Sequence, residues 1–112
     1  MGGREYLGEF EFVVLLALAR LGDGAYGASI HQEILEATGR DVSIPAVYVT
    51  LKRMERKGLV ASALGSSDRA GGRPTRNYEL TPAGKEAMAR SRALFERLWD
   101  AGESIVSEGA AP

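Results

Sequence analysis

The stretch Ser43–Val60, SIPAVYVTLKRMERKGLV, decides the fold. Ser43 is a good N-cap, because its hydroxyl can accept a first-turn N–H that lacks a helical partner. Pro45 falls in the first turn, where a missing N–H costs nothing. Val47, Leu51 and Met54 repeat at i, i+4 and i+7, which buries one narrow stripe. Tyr48, Thr50, Arg53 and Lys57 lie off that stripe. Gly58 ends the helix after Arg56 and Lys57, cations that suit its C-terminal dipole. Such a helix turns a polar and cationic face outward.

Upstream, Gly8 to Leu21 has helical length. Its apolar residues, Phe10 and Phe12 among them, spread over more than one face, so burial on two sides is expected. Gly22–Asp23–Gly24 stops it. AYGASIHQEILEATG, residues 25–39, reads as a second helix with Ile30, Ile34 and Leu35 as its stripe and Gly39 as its C′ residue. Downstream, LVASALG and RNYEL read as two short strands around the long loop SSDRAGGRPT. Thr81 caps a last helix and Pro82 takes its first position. Met88, Phe95, Leu98, Gly102 and Ile105 form a heptad-like seam along it, widened by Leu94, Trp99 and Val106. The organisation expected is a domain over residues 1–80, a C-terminal dimerisation helix over 81–107, and a disordered tail over 108–112.

At 112 residues the chain is one small domain, and a core that size is only marginally stable alone. Oligomerisation is a common remedy. The absence of cysteine excludes disulfides and thiolate metal sites. No apolar run reaches membrane-spanning length. Glu5, Glu9 and Glu11 stand where a signal peptide wants cations, so the chain reads as cytoplasmic. An enzyme reading finds little: no metal-ligand spacing, no phosphate-binding loop and no serine–histidine–acid set, so no catalytic residue, metal or cofactor is expected. His31, the single histidine, reads as a solvated flank residue. The net charge of −1 hides an asymmetry. Residues 52–76 carry seven cations (Lys52, Arg53, Arg56, Lys57, Arg69, Arg73, Arg76) against two acids (Glu55, Asp68). A local basic segment in an acidic chain is the footprint of an anionic partner. A solvated helix face plus a loop is the plainer reading of the same charges.

Three helices, a hairpin and one long helix make a mainly α chain with a small β-hairpin, the winged helix-turn-helix arrangement. In that arrangement the third helix enters the major groove of double-stranded DNA and the hairpin is the wing. Hydroxyls of Ser43, Tyr48 and Thr50 can bond phosphates or base edges, and Lys52 and Arg53 can neutralise phosphates. Ala46 and Val49 are small enough for close approach. Arg73, beside Gly72 in a glycine-rich loop, is expected on a phosphate or in the minor groove, with Arg69 and Arg76 as further wing contacts. Arg76 has the alternative of lying on the strand and facing away.

LGEFEFVVLLAL, GAYGASIHQEI, AVYVTLKRMERKGLV and GGRPTRNYELTPAG together resemble the PadR family of bacterial transcriptional regulators. The resemblance runs from about Leu7 to Gly84 in unbroken order. Its most specific pieces are Tyr26–Gly27, Val47–Tyr48 with Leu51, Lys57–Val60, and Gly72–Arg73 with Tyr78, Leu80, Thr81 and Gly84. It implies a homodimeric repressor of a palindromic operator, paired mainly through the last helix with help from the first. The interface expected from this is Phe10, Met88, Leu94, Phe95, Leu98, Trp99 and Ile105. Tyr26 and Gly27 at the start of the second helix are expected at DNA, or Tyr26 simply packs that helix. The single C-terminal helix matches the short form of the family. Some short members bind planar aromatic compounds between subunits against a tryptophan of the last helix. Trp99 has two readings, a platform for a small aromatic effector or an anchor of the dimer core. The rival to the whole reading is a winged-helix protein-interaction module that never touches DNA.

Overall fold

The structure is a computed structural model that describes residues 6–65 and 74–110. Helix α1 spans Glu9–Leu21, α2 Gly27–Thr38, α3 Ile44–Arg56 and α4 Pro82–Ala110; strands β1, Val60–Leu64, and β2, Arg76–Leu80, lie between α3 and α4. The winged helix-turn-helix order is therefore present as the sequence predicts.

Local chemistry sets the boundaries. The Gly8 N–H at the mouth of α1 donates to Glu11 Oε1 at 2.9 Å. Glu9 and Glu11 in the first turn also suit the helix dipole. α2 stops at Gly39, whose φ of 73° is the left-handed C-terminal turn that glycine makes without strain. Ser43 Oγ accepts the Ala46 N–H at 3.1 Å and starts α3. Thr81 Oγ1 accepts from Gly84 N at 3.0 Å and starts α4.

Two boundaries depart from expectation. α2 begins at Gly27 rather than Ala25, because Ala25 and Tyr26 are drawn into the wing: Tyr78 N donates to the Ala25 carbonyl at 2.8 Å, and Tyr26 bridges Asn77. The turn before α2 thus adds a third, minimal strand to the hairpin. α4, expected to stop at 107, continues to Ala110, since Gly109 stays helical and no proline intervenes before residue 112.

β1 and β2 pair antiparallel from Val60↔Leu80 to Leu64↔Arg76. Val14, Leu15 and Leu18 of α1, Ile30 and Ile34 of α2, and Val47, Leu51 and Met54 of α3 form the core, closed by Val60, Tyr78 and Ala87. α1 is buried on its core side, but Leu16 is 45% exposed, so the burial expected on its second side does not extend to that residue. α4 joins the core only through its first half, where Gly84, Ala87 and Ser91 are buried. From Phe95 to Gly109 its residues are exposed, apart from half-buried Gly102.

Candidate nucleic-acid interface

The outer face of α3 carries Tyr48 and Val49, 40% and 58% exposed, with exposed Lys52 beside them and half-buried Ala46. An exposed valine is unusual only because no local packing asks for it; here it lies on the face opposite Val47 and Leu51. Ser43 is exposed at the helix start, but its oxygen is already engaged as the cap. Thr50 is a correction. It is expected on the outer face, yet it is 3% exposed. Val47, Thr50, Leu51 and Met54 make the i, i+3, i+4, i+7 set, so the stripe is one residue wider than its apolar members. Thr50 is therefore not on the face that would meet DNA.

α2 supports this face. Gly27 is buried beneath the Tyr48 ring, and a Cβ there would collide with the ring's outer atoms. Tyr26 is half-buried, with its N–H bonded to Ser29 Oγ at 2.9 Å. On the wing, Arg76 is exposed on β2 and its Nη1 donates to Ser62 Oγ at 2.9 Å, while Ser62 Oγ donates to Glu55 Oε2 at 2.7 Å. Arg76 is thus tied across the hairpin. Burial raises the Tyr78 hydroxyl pKa; Glu55 and Tyr48 push it the same way and Arg76 opposes them. Arg69, Gly72 and Arg73 lie outside the described residues.

Two contributors escape sequence reasoning. His31 is half-buried rather than solvated, and its Nε2 lies 2.7 Å from the Val42 carbonyl, one residue before the α3 cap. It pins the α2–α3 turn. Glu11 reaches from α1 to the end of α3: Oε2 accepts Arg53 Nε at 3.0 Å and stands 3.6 Å from Lys57 Nζ. Burial alone would raise the Glu11 pKa, but the Gly8 N–H, the Arg53 bond and the two cations outweigh it and hold the carboxyl below its ordinary value. Neither partner is readable from local spacing, since Glu11 and Arg53 are 42 residues apart.

A second surface lies on α4. Phe95, Leu98, Trp99 and Ile105 are 57%, 66%, 52% and 70% exposed, with Val106 beside them. Leu94 is half-buried, and Met88 packs on the chain's own core rather than standing free in the seam. Phe10 is half-buried against the same core, with the Arg40 guanidinium 5.5 Å from its ring centre. Phe12, Arg92, Phe95, Glu96 and Trp99 line an open groove of about 310 Å³. Among the described residues no three His, Cys, Asp or Glu side chains gather to hold a metal ion, and no helix is long and apolar enough to cross a membrane.

Known proteins match this architecture. The transcriptional regulator PadR-like family matches residues 14–90. The transcriptional regulator Rv3488 of Mycobacterium tuberculosis is 40% identical over 73 residues, covering 65% of this chain and 64% of that protein, so the match spans just under two thirds of its relative. Among solved structures, a PadR family transcription regulator from Clostridium difficile R20291 superposes with a TM-score of 0.73 at 21% identity, covering 88% of this chain and 99% of that one. A PadR family transcriptional regulator from Eggerthella lenta DSM 2243 gives a TM-score of 0.67 at 26% identity, covering 88% and 86%.

Proposed function

Because the chain belongs to the PadR-like family of transcriptional regulators, we propose that it is a homodimeric repressor that binds a palindromic operator and controls a neighbouring operon. The observation that carries this reading is the outer face of α3. Tyr48, Val49 and Lys52 project from a helix whose opposite side is locked into the core, with Ala46 and Arg53 at its edges. Val49 offers apolar contact to a thymine methyl, Tyr48 a hydroxyl donor, and Lys52 and Arg53 charge for phosphates. Ser43 and the Tyr26–Gly27 corner border that face, and the PadR resemblance adds Arg69, Gly72, Arg73 and Arg76 as expected wing contacts to DNA.

The apolar stripe of α4 supports the dimer. Four large side chains each more than half exposed would be a solubility liability on a monomer, and their heptad-like spacing suits a second copy of the same helix. In the dimer, Phe95, Leu98, Trp99 and Ile105 form the centre, and Phe10, Met88 and Leu94 flank it. The groove beside Trp99 is lined by the aromatic side chains Phe12, Phe95 and Trp99, which suit a small aromatic effector. An effector there would change the angle between subunits and so the fit to two half-sites. The protein works in the cytoplasm, where its operator is.

A gel-shift titration with DNA from upstream of its own gene, against a scrambled fragment at two salt concentrations, tests the reading. Tighter binding to the upstream fragment, weakening steeply with salt as counterions are released, is expected. Binding no tighter than to scrambled DNA at low salt contradicts it and favours an interaction module.

A further inference from the structure

We propose that Glu11 is a positioning residue for α3 and couples its orientation to α4; this rests on the DNA-binding reading above. The carboxylate divides its two oxygens between two tasks. Oε1 accepts the Gly8 N–H at 2.9 Å and fixes the entry to α1. Oε2 takes Arg53 Nε at 3.0 Å and lies 3.6 Å from Lys57 Nζ. Arg53 and Lys57 are four residues apart, so one carboxylate grips two successive turns at the C-terminal end of α3. The Glu11 side chain is only 13% exposed, which spares the contact much of the screening that weakens surface ion pairs.

The same point is tied to α4. Leu7, next to Gly8, donates its N–H to Ser91 Oγ at 2.9 Å, and Ser91 is fully buried on α4. A displacement of α4 at Ser91 therefore moves Leu7 and Gly8, and with them the Glu11 carboxylate, whose Oε2 holds Arg53. The relay runs from the helix proposed to pair the subunits to the helix proposed to read DNA. Its links are the Leu7–Ser91 and Gly8–Glu11 hydrogen bonds, the peptide bond between Leu7 and Gly8, and the Glu11–Arg53 ion pair.

A second role for the same carboxylate makes the opposite forecast. If Glu11 only offset the charge of Arg53 and Lys57, it would oppose phosphate binding, and its removal would tighten binding to every DNA. If it sets their direction, its removal lowers affinity for the operator and spares scrambled DNA. Glu11→Gln keeps one acceptor but turns the other into a donor, so it cannot serve both Gly8 N and Arg53 Nε. Glu11→Asp keeps the charge on a stem one methylene shorter.

The experiment measures the affinity of the full chain for the upstream fragment and for scrambled DNA by fluorescence anisotropy, with circular dichroism melts alongside. Both variants should lower the ratio of the two affinities by roughly 2- to 30-fold. Combining Glu11→Asp with Ser91→Ala should cost less than the two separately, because both break one relay. An unchanged ratio in Glu11→Asp, an equal fall on both DNAs, or tighter binding to both in Glu11→Gln overturns the proposal. If Glu11→Gln does not fold, Glu11→Asp decides alone. A wild-type protein with no preference for the upstream fragment removes the DNA-binding reading itself, whereas wild-type preference with unaltered variants removes only this inference.

Discussion

The ring of Tyr48 lies against Gly27 and fills the space a side chain there would need. This contact joins the first turn of α2 to the outer face of α3, the two elements that dock together in a helix-turn-helix. It also explains why the corner ahead of α2 is built as Ala25–Tyr26–Gly27. The first two residues pair with the wing, and the third makes room for the ring.

Gly27→Ala should therefore act on binding more than on stability. The atoms it meets are the far end of a side chain that is 40% exposed, so the ring can swing outward. The unfolding free energy in urea should change by less than about 1 kcal/mol. Operator affinity should fall as far as in Tyr48→Ala, and the double variant should be no worse than either single one.

Gly84→Ala presents the opposite case. A Cβ at Gly84 would run into the Leu59 carbonyl, which is backbone and is held by the Thr81 N–H at 3.1 Å. Alanine gains at most about 1 kcal/mol over glycine, the helix-interior value, and Gly84 is only the third residue of α4. Overpacking against fixed backbone costs roughly 1–3 kcal/mol. The clash should win, with a lower urea midpoint and a lower Tm.

Leu98, 66% exposed at the centre of the α4 stripe, tests the dimer. Leu98→Glu should weaken self-association by at least about 30-fold, the equivalent of losing a hot-spot contact of roughly 2 kcal/mol. Sedimentation velocity at micromolar concentration should show a dimer for the wild type and a monomer for the variant, each with an unchanged helical spectrum.

Glu11 gives a pH signature. Its folded pKa is depressed below the ordinary carboxylate range, which lies around pH 4. Its contribution to stability is thus fully present above that range and is lost as pH falls through the depressed folded value. The wild type should melt higher than Glu11→Gln near pH 7, and the gap should close as pH drops below about 4. A gap that is constant with pH contradicts the pairing with Arg53 and Lys57.

Much of the architecture is legible in the sequence because its signals are local. Ser43 and Pro45 start α3 within one turn, Gly39 marks the end of α2, and Thr81–Pro82 start α4. The α4 stripe is legible for the same reason, since a heptad needs only spacing. Thr50 is misread because a hydroxyl scores as polar while its helical position is a core one. Met88 follows the seam in sequence but reaches the domain core first, because the first half of α4 lies on it. The bridge from Tyr26 to Asn77 and the bond from Leu7 to Ser91 join single residues far apart in the chain, with no periodicity to announce them. His31 is misjudged on the same ground: its partner Val42 lies 11 residues away, beyond the end of α2.

In the proposed dimer two copies of α3, spaced by α4, read successive major grooves. Hydroxyl-radical footprinting of the bound upstream fragment tests it most directly. Two protected patches related by two-fold symmetry, about 34–36 Å apart on one face of the duplex, are expected. A single patch, or two whose separation puts them on opposite faces, contradicts it.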